Sequence, residues 1–273
     1  MAGRRSLEEI ERDFVEARQR GDGLAIARLR NEEACVVLLT LLGRLAADES
    51  SFIHEVALKG GILMAGELGS PRASADIDAT TGQMRRMDDE RIVEDLRAVG
   101  RDLGVRQREA TTRTRGGSII HLSFESRTDR GMAKLEVSVR EDLVFAVRDA
   151  FFDVSDIGLD TFSLPALAEV EIVAEKIRTL VQRAQPRDLF DLRLQLTEAG
   201  WHLEPADLRQ AVDAKLSITK HKRWKAGLWR NHLDEIEATW TAVLEEWIEP
   251  GRIPDFDETV EVVARRMREL ALD

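Results

Sequence analysis

Tyrosine is absent from the 273 residues, and only one cysteine, six prolines and five histidines occur. A single cysteine excludes an internal disulfide. The setting of Cys35 in Ala34-Cys35-Val36-Val37-Leu38-Leu39 reads as burial rather than reactivity. The histidines (His54, His121, His202, His221 and His232) are dispersed, and no two have zinc-ligand spacing. No apolar run reaches the length of about eighteen residues that a membrane-spanning helix needs. The start, Met1-Ala2-Gly3-Arg4-Arg5-Ser6, lacks the apolar stretch of a secretion signal, so a cytoplasmic protein is expected. Internal repeats and low-complexity tracts are also missing. Lysine is scarce, with seven among the 40 basic residues, so each one is worth following.

Apolar residues make up 43% of the chain and charged residues 33%, the balance of a soluble globular protein of one large or two smaller domains. The net charge of −11 argues against a general polyanion binder but leaves room for a local basic patch. Residues 215–232 form such a patch. Lys215, Lys220, Lys222, Arg223, Lys225 and Arg230 occur there without an acid, interleaved with Trp224 and Trp229. The tryptophans read as buried, and the basic side reads as a surface for nucleic acid.

Periodicity predicts helices over 6–21 and 24–48, both amphipathic, a short strand over 55–59, a helix over 62–68, a strand over 76–80 and a helix over 86–103. Alternation predicts strands over 118–126, with Ile120, Leu122 and Phe124 inward, and over 133–140, with Leu135, Val137 and Val139 inward. Two shorter strands are expected at 149–154 and 159–163. Beyond Pro165 the pattern turns helical, over 165–183, 186–199, 205–217, 222–247 and 256–271. Pro165, Pro186, Pro205 and Pro254 are each placed in a first helical turn.

Asp76 and Asp78 stand two apart in an expected strand, so they share a face, roughly 6.5–7 Å apart. Two carboxylates at that separation repel by about 2–3 kcal/mol at an effective dielectric of 20, a cost that a divalent cation reverses. Alone, Asp-x-Asp reads as a solvated turn or a helix cap rather than a metal site. Lys59-Gly60-Gly61 upstream changes this, because glycines let backbone N–H groups approach a phosphate closely. Glu136, between Leu135 and Val137, is either a third carboxylate from a neighbouring strand or an exposed glutamate on a half-buried one. Asp76-Ile77-Asp78-Ala79-Thr80 also fits the Asp-x-Asp-x-Thr of haloacid-dehalogenase-like phosphatases, but the lead-in Pro71-Arg72-Ala73-Ser74-Ala75 is not the hydrophobic strand those require.

Four elements follow in order: Lys59-Gly60-Gly61; Arg72-x-Ser74-x-Asp76-Ile77-Asp78; Ala174-Glu175-Lys176-Ile177-Arg178; and Pro186-Arg187-Asp188-Leu189-Phe190-Asp191-Leu192. Together they resemble the nucleotidyltransferase fold and, within it, the AbiEii/AbiGii toxin family. The resemblance covers about residues 55–195, and beyond 200 only general helical character matches. It implies an α+β protein. A nucleotidyltransferase-like domain with N-terminal helices (1–164) carries a mixed sheet and flanking helices, and a helical domain (165–273) completes the active-site cleft. It also implies a toxin of a bacterial type IV-like toxin–antitoxin or phage-defence pair. That toxin would move a nucleoside monophosphate from a nucleoside triphosphate to an RNA acceptor, with the tRNA 3′ end as candidate, and would have a cognate antitoxin.

By the same resemblance Asp76 and Asp78 would hold Mg²⁺ or Mn²⁺, joined by Glu136 as the carboxylate expected from a neighbouring strand. Lys59, Gly60, Gly61, Ser74, Arg187 and Asp188 would bind the nucleotide, and Lys176 and Asp191 would act in catalysis with the two aspartates. Ser74 either contacts a phosphate or is itself an acceptor. Asp188 is expected to partner Arg187 or Lys176, Asp191 to face the nucleotide, and either Glu136 or Asp191 to be the third acid. The alternative is a non-catalytic nucleotide- or RNA-binding module on the same fold.

Overall fold

The computed structural model describes residues 3–82, 86–139 and 143–273. The chain divides into two compact units. One comprises Met1–Glu141, Val147–Ala166 and Glu246–Glu249; the other comprises Asp142–Ala146, Leu167–Glu245 and Pro250–Asp273.

The first unit opens with α1 (Leu7–Arg20), started by a Ser6–Glu9 capping box and stopped at Gly21 in a left-handed conformation. Ile10, Phe14 and Ala17 cluster with Ala25, Leu29 and Val36 of α2 (Gly23–Ala46). The expectation of an amphipathic α2 fails. Nearly every residue from Ala34 to Leu45 is buried, because this helix packs against α1 and also against the elements of the sheet layer. β1 (Ala57–Lys59) is shorter than expected, since Phe52–Glu55 forms a turn of 3-10 helix. α3 (Gly60–Glu67) begins at the glycine pair itself, β2 (Asp76–Thr80) matches its expected span, and α4 (Asp89–Val99) is a shortened form of the 86–103 helix.

Two short polar strands, β3 (Arg106–Gln107) and β4 (Thr112–Thr114), had no alternation to announce them. The expected central hairpin is β5 (Gly117–Ser123) and β6 (Met132–Ser138), with Ile120, Leu122, Leu135 and Val137 buried. Arg140, expected at the end of β6, lies outside the described residues. β7 (Arg148–Phe152) and β8 (Phe162–Ala166) complete a mixed sheet of order β3-β5-β6-β2-β1-β8-β7, with β4 paired to β5. β2 runs parallel to β6 and β1 parallel to β8, and the other pairs are antiparallel. Pro165 corrects the expected helix start. It lies within β8, opposite Asp149, and the next helix begins at Glu169.

The second unit is helical: α5 (Glu169–Gln182), α6 (Pro186–Thr197), α7 (Pro205–Ser217), α8 (Leu233–Glu237), α9 (Trp240–Leu244) and α10 (Phe256–Glu269). Pro186 and Pro205 occupy first turns, whereas Pro254 precedes the Asp255 cap of α10. The single helix expected over 222–247 does not form. Lys222 and Gly227 take left-handed backbone conformations, which break a right-handed helix. The breaks let Trp224 and Trp229 both point inward, with the Trp224 indole N–H donating to the Leu272 carbonyl at 2.7 Å. Among the described residues no helix is long and apolar enough to cross a membrane.

Candidate active site

The sheet register assembles the first unit's site. Asp78 sits at the middle of a row, opposite Lys59 of β1 and beside Glu136 of β6. Asp76 stands one step along the same face, beside Lys134. Ile77 and Ala79, on the other face, are buried in the core. Strand pairing alone therefore gathers three carboxylates and two lysines. The polar face of the β6 pattern, with Lys134 and Glu136, was the visible signal for the second lysine, which sequence reasoning did not single out as a site residue.

Gly60 and Gly61 close the row. The chain passes from β1 into α3 at Gly60 with φ 75°, a conformation that glycine enters at little cost. A β-carbon there would collide with the Asp78 carboxylate, and one on Gly61 would lie 2.5 Å from Arg72 Nη2 and 2.8 Å from Ser74 Oγ. The pair thus brings the first amides of α3 next to the aspartate face, an arrangement suited to anions. Ser74 is buried and its hydroxyl donates to the Asp76 carbonyl at 3.1 Å, fixing the entry to β2. Arg72 is buried beside it, with Nη1 donating to the Ala73 carbonyl at 3.1 Å. Thr80, on the aspartate face by spacing, is buried and donates to the Ser138 carbonyl at 3.2 Å.

The electrostatics are those of a crowded acidic site. Burial pushes the Asp78 carboxyl up, with Asp76 and Glu136 adding to the rise, while Lys59 and Lys134 oppose it. Burial alone would pull the Lys134 amine down, but Asp76, Asp78 and Glu136 outweigh it and hold it above the usual value. The Lys134 ammonium lies 3.5 Å from both the Asp76 and Glu136 carboxylates. Among the described residues no three acidic, histidine or cysteine side chains are already gathered closely enough to hold a metal ion. The donor set nevertheless suits one. Three hard carboxylates share one face, two of them are still partly exposed, and a lysine ammonium lies between those two where positive charge is needed.

The second unit holds its own cluster. Lys176 of α5 lies 2.7 Å from Asp191 and 3.3 Å from Asp188, both on α6. Arg183 grips Asp188 through Nε at 2.7 Å and Nη2 at 3.1 Å. Burial raises the Asp188 carboxyl, but Lys176 and Arg183 more than offset this and hold it below the usual range. Asp191, expected to face a nucleotide, is fully buried and pairs with Lys176. Arg187 is half-buried one residue before Asp188.

The basic segment expected over 215–232 is smaller than its sequence suggests. Lys215 is buried, 2.8 Å from Glu171, and Arg230 pairs with Asp273. Lys220, Arg223 and Lys225 are left at the surface, beside Lys222, whose amine donates to the Ser217 carbonyl.

Residues 41–262 match the family described as nucleotidyl transferase AbiEii toxin, type IV toxin–antitoxin system. Among solved structures the chain is similar to MenT4, a nucleotidyltransferase toxin from Mycobacterium tuberculosis H37Rv, with 18% identity and a TM-score of 0.56, covering 98% of this chain and 97% of that one. It is also similar to JHP933 from Helicobacter pylori, with 15% identity and a TM-score of 0.55, covering 86% and 88% respectively. At such identities these two structures speak for the fold. A search of curated proteins finds no match.

Proposed function

Because the chain belongs to the AbiEii nucleotidyl transferase toxin family of type IV toxin–antitoxin systems, we propose that it transfers a nucleoside monophosphate from a nucleoside triphosphate to an RNA hydroxyl. The 3′ end of tRNA is the acceptor that this reading takes first, a cognate antitoxin opposes the activity, and the reaction belongs in the cytoplasm, where both substrates are found. The observation that carries the reading is the row Lys59–Asp78–Glu136 beside Asp76–Lys134, closed by the tight turn at Gly60.

In this reading Asp76 and Asp78, with Glu136 beside them, hold Mg²⁺ or Mn²⁺. The ion, when bound, supplies charge neutralisation to the triphosphate and acidifies the acceptor hydroxyl. The Gly60 and Gly61 amides approach the phosphates, and Lys59 compensates charge as the α–β phosphate bond breaks and diphosphate leaves. The acceptor oxygen forms the new bond to the α-phosphorus, and its proton passes to a carboxylate, a role we give to the partly exposed Glu136 beside Asp78. Asp188 and Asp191 position Lys176, while Ser74 and Arg72 hold the strand entry. The test is incubation of purified protein with total RNA and each labelled nucleoside triphosphate, for the wild type and for Asp76→Ala. Transfer by the wild type and none by a folded Asp76→Ala is expected. A folded variant that still transfers sinks the mechanism. Failure of the wild type with all four nucleotides, on RNA and on protein acceptors, leaves the non-catalytic binding module.

A further inference from the structure

α4 ends at Gly100 and the chain turns back through Gly104, at φ 63°, bringing Arg97 and Arg101 of the helix end next to Arg106 of edge strand β3. These arginines line an open groove of about 380 Å³, in which Glu94 is the lining acid. None of the three guanidiniums has a side-chain partner among the described residues, although the chain as a whole carries a charge of −11.

The groove connects to the carboxylates through sheet register. Arg106 opposes Ser123, the Arg108 N–H donates to the His121 carbonyl at 2.9 Å, His121 opposes Lys134, and Lys134 stands beside Asp76. The Arg108 guanidinium lies against the Met132 sulfur, on the same side of β6 as Lys134. Asp76, Lys134, His121 and Arg108 thus form a row across the sheet, roughly 14–15 Å long at 4.7–4.9 Å per strand. Beyond it, Arg106 belongs both to this face and to the groove.

We propose that this row and the groove beyond it are the acceptor path: the phosphodiester backbone of an RNA strand runs from the carboxylates past Lys134, His121 and Arg108 to Arg106, Arg97 and Arg101. The inference rests on the reading of RNA as acceptor and adds where the acceptor lies. Forked guanidiniums without carboxylate partners are suited to phosphate oxygens, and each one engaged releases counterions from the strand. The rival surface, Lys220, Arg223 and Lys225, lies in the second unit.

The experiment is fluorescence anisotropy of a labelled single-stranded RNA oligonucleotide with the full-length protein over a salt series, which needs no turnover and so separates this proposal from the transfer reaction. Arg97→Gln, Arg101→Gln and Arg106→Gln combined should weaken binding about tenfold or more. The slope of log affinity against log salt should become shallower by about 0.7 for each phosphate that the variant leaves unneutralised. Thermal melting checks that the triple variant is folded. In an active preparation the variant should raise the KM for RNA without raising that for the nucleotide. Unchanged RNA affinity, no RNA binding by the wild type, or a loss that appears only with Lys220, Arg223 and Lys225 neutralised would each overturn the proposal.

Discussion

Lys134 and Asp76 are register partners on adjacent parallel strands, with the lysine ammonium 3.5 Å from the aspartate carboxylate and equally close to Glu136. With Lys59, this lysine offsets part of the charge of three acids on one face. Lys134→Met therefore leaves those acids repelling one another. Because the groups are partly exposed, the cost should be modest, about 1 kcal/mol, or about 2–4 °C in Tm for a chain of this size. Removing a competing cation should strengthen divalent-ion binding, so Mg²⁺ should raise the Tm of the variant by more than it raises that of the wild type. Thermal melts with and without Mg²⁺ check this. A variant that gains no more from Mg²⁺ than the wild type counts against a metal site on this face.

Gly60→Ala acts on the same face from the other side. Its β-carbon would occupy the space of the Asp78 carboxylate, at a backbone φ of 75° that alanine enters at a cost of about 1–2 kcal/mol. The turn can relax only by moving Asp78. A small loss of stability with a loss of transfer of about a hundredfold or more is expected, measured by denaturation and by labelled-nucleotide transfer. Near-normal transfer would mean that the glycine pair is only a turn.

The strands that build the site were legible because β2, β5 and β6 alternate cleanly, and alternation fixes faces. Register was not legible. Neither Lys134 beside Asp76 nor Glu136 beside Asp78 follows from spacing, since each depends on which strand pairs with which and at what offset. The second unit shows the opposite failure. Lys215 looked like part of a basic surface, but composition cannot show that Glu171 on another helix takes it inside. Trp224 and Trp229 were read correctly as buried, yet the helix drawn around them was not. Left-handed Lys222 and Gly227 are backbone choices made by tertiary packing, which propensity does not encode.

Lys215 gives a stability prediction. Its ammonium lies 2.8 Å from Glu171, and the other Glu171 oxygen accepts from the Val144 and Phe145 amides at 2.6 and 3.1 Å. Both side chains are almost fully buried. Lys215→Met should cost about 3–5 kcal/mol, because it strands a buried carboxylate. Adding Glu171→Gln should recover part of that loss. Denaturant unfolding of the two variants checks this, and an Lys215→Met protein as stable as the wild type would mean that the pair is not formed in solution.

Asp188 gives the pH prediction. Burial raises its carboxyl, but Lys176 and Arg183 more than offset this, so the folded value lies below that of the unfolded chain, which is about 4. Between the two values the unfolded state binds more protons, so stability rises with pH there. The contribution of Asp188 is therefore complete above about pH 4 and is lost as pH falls through the lower, folded value. Asp188→Asn should destabilise at neutral pH by about 3 kcal/mol, since Lys176 and Arg183 lose a buried counter-charge while Asp191 still holds the lysine. The gap between wild type and variant should stay constant from neutral pH down to about pH 4 and narrow only below it. Denaturation at several pH values checks this. A gap that closes well above that range would show the carboxyl raised rather than lowered, and would remove Lys176 and Arg183 as its dominant partners.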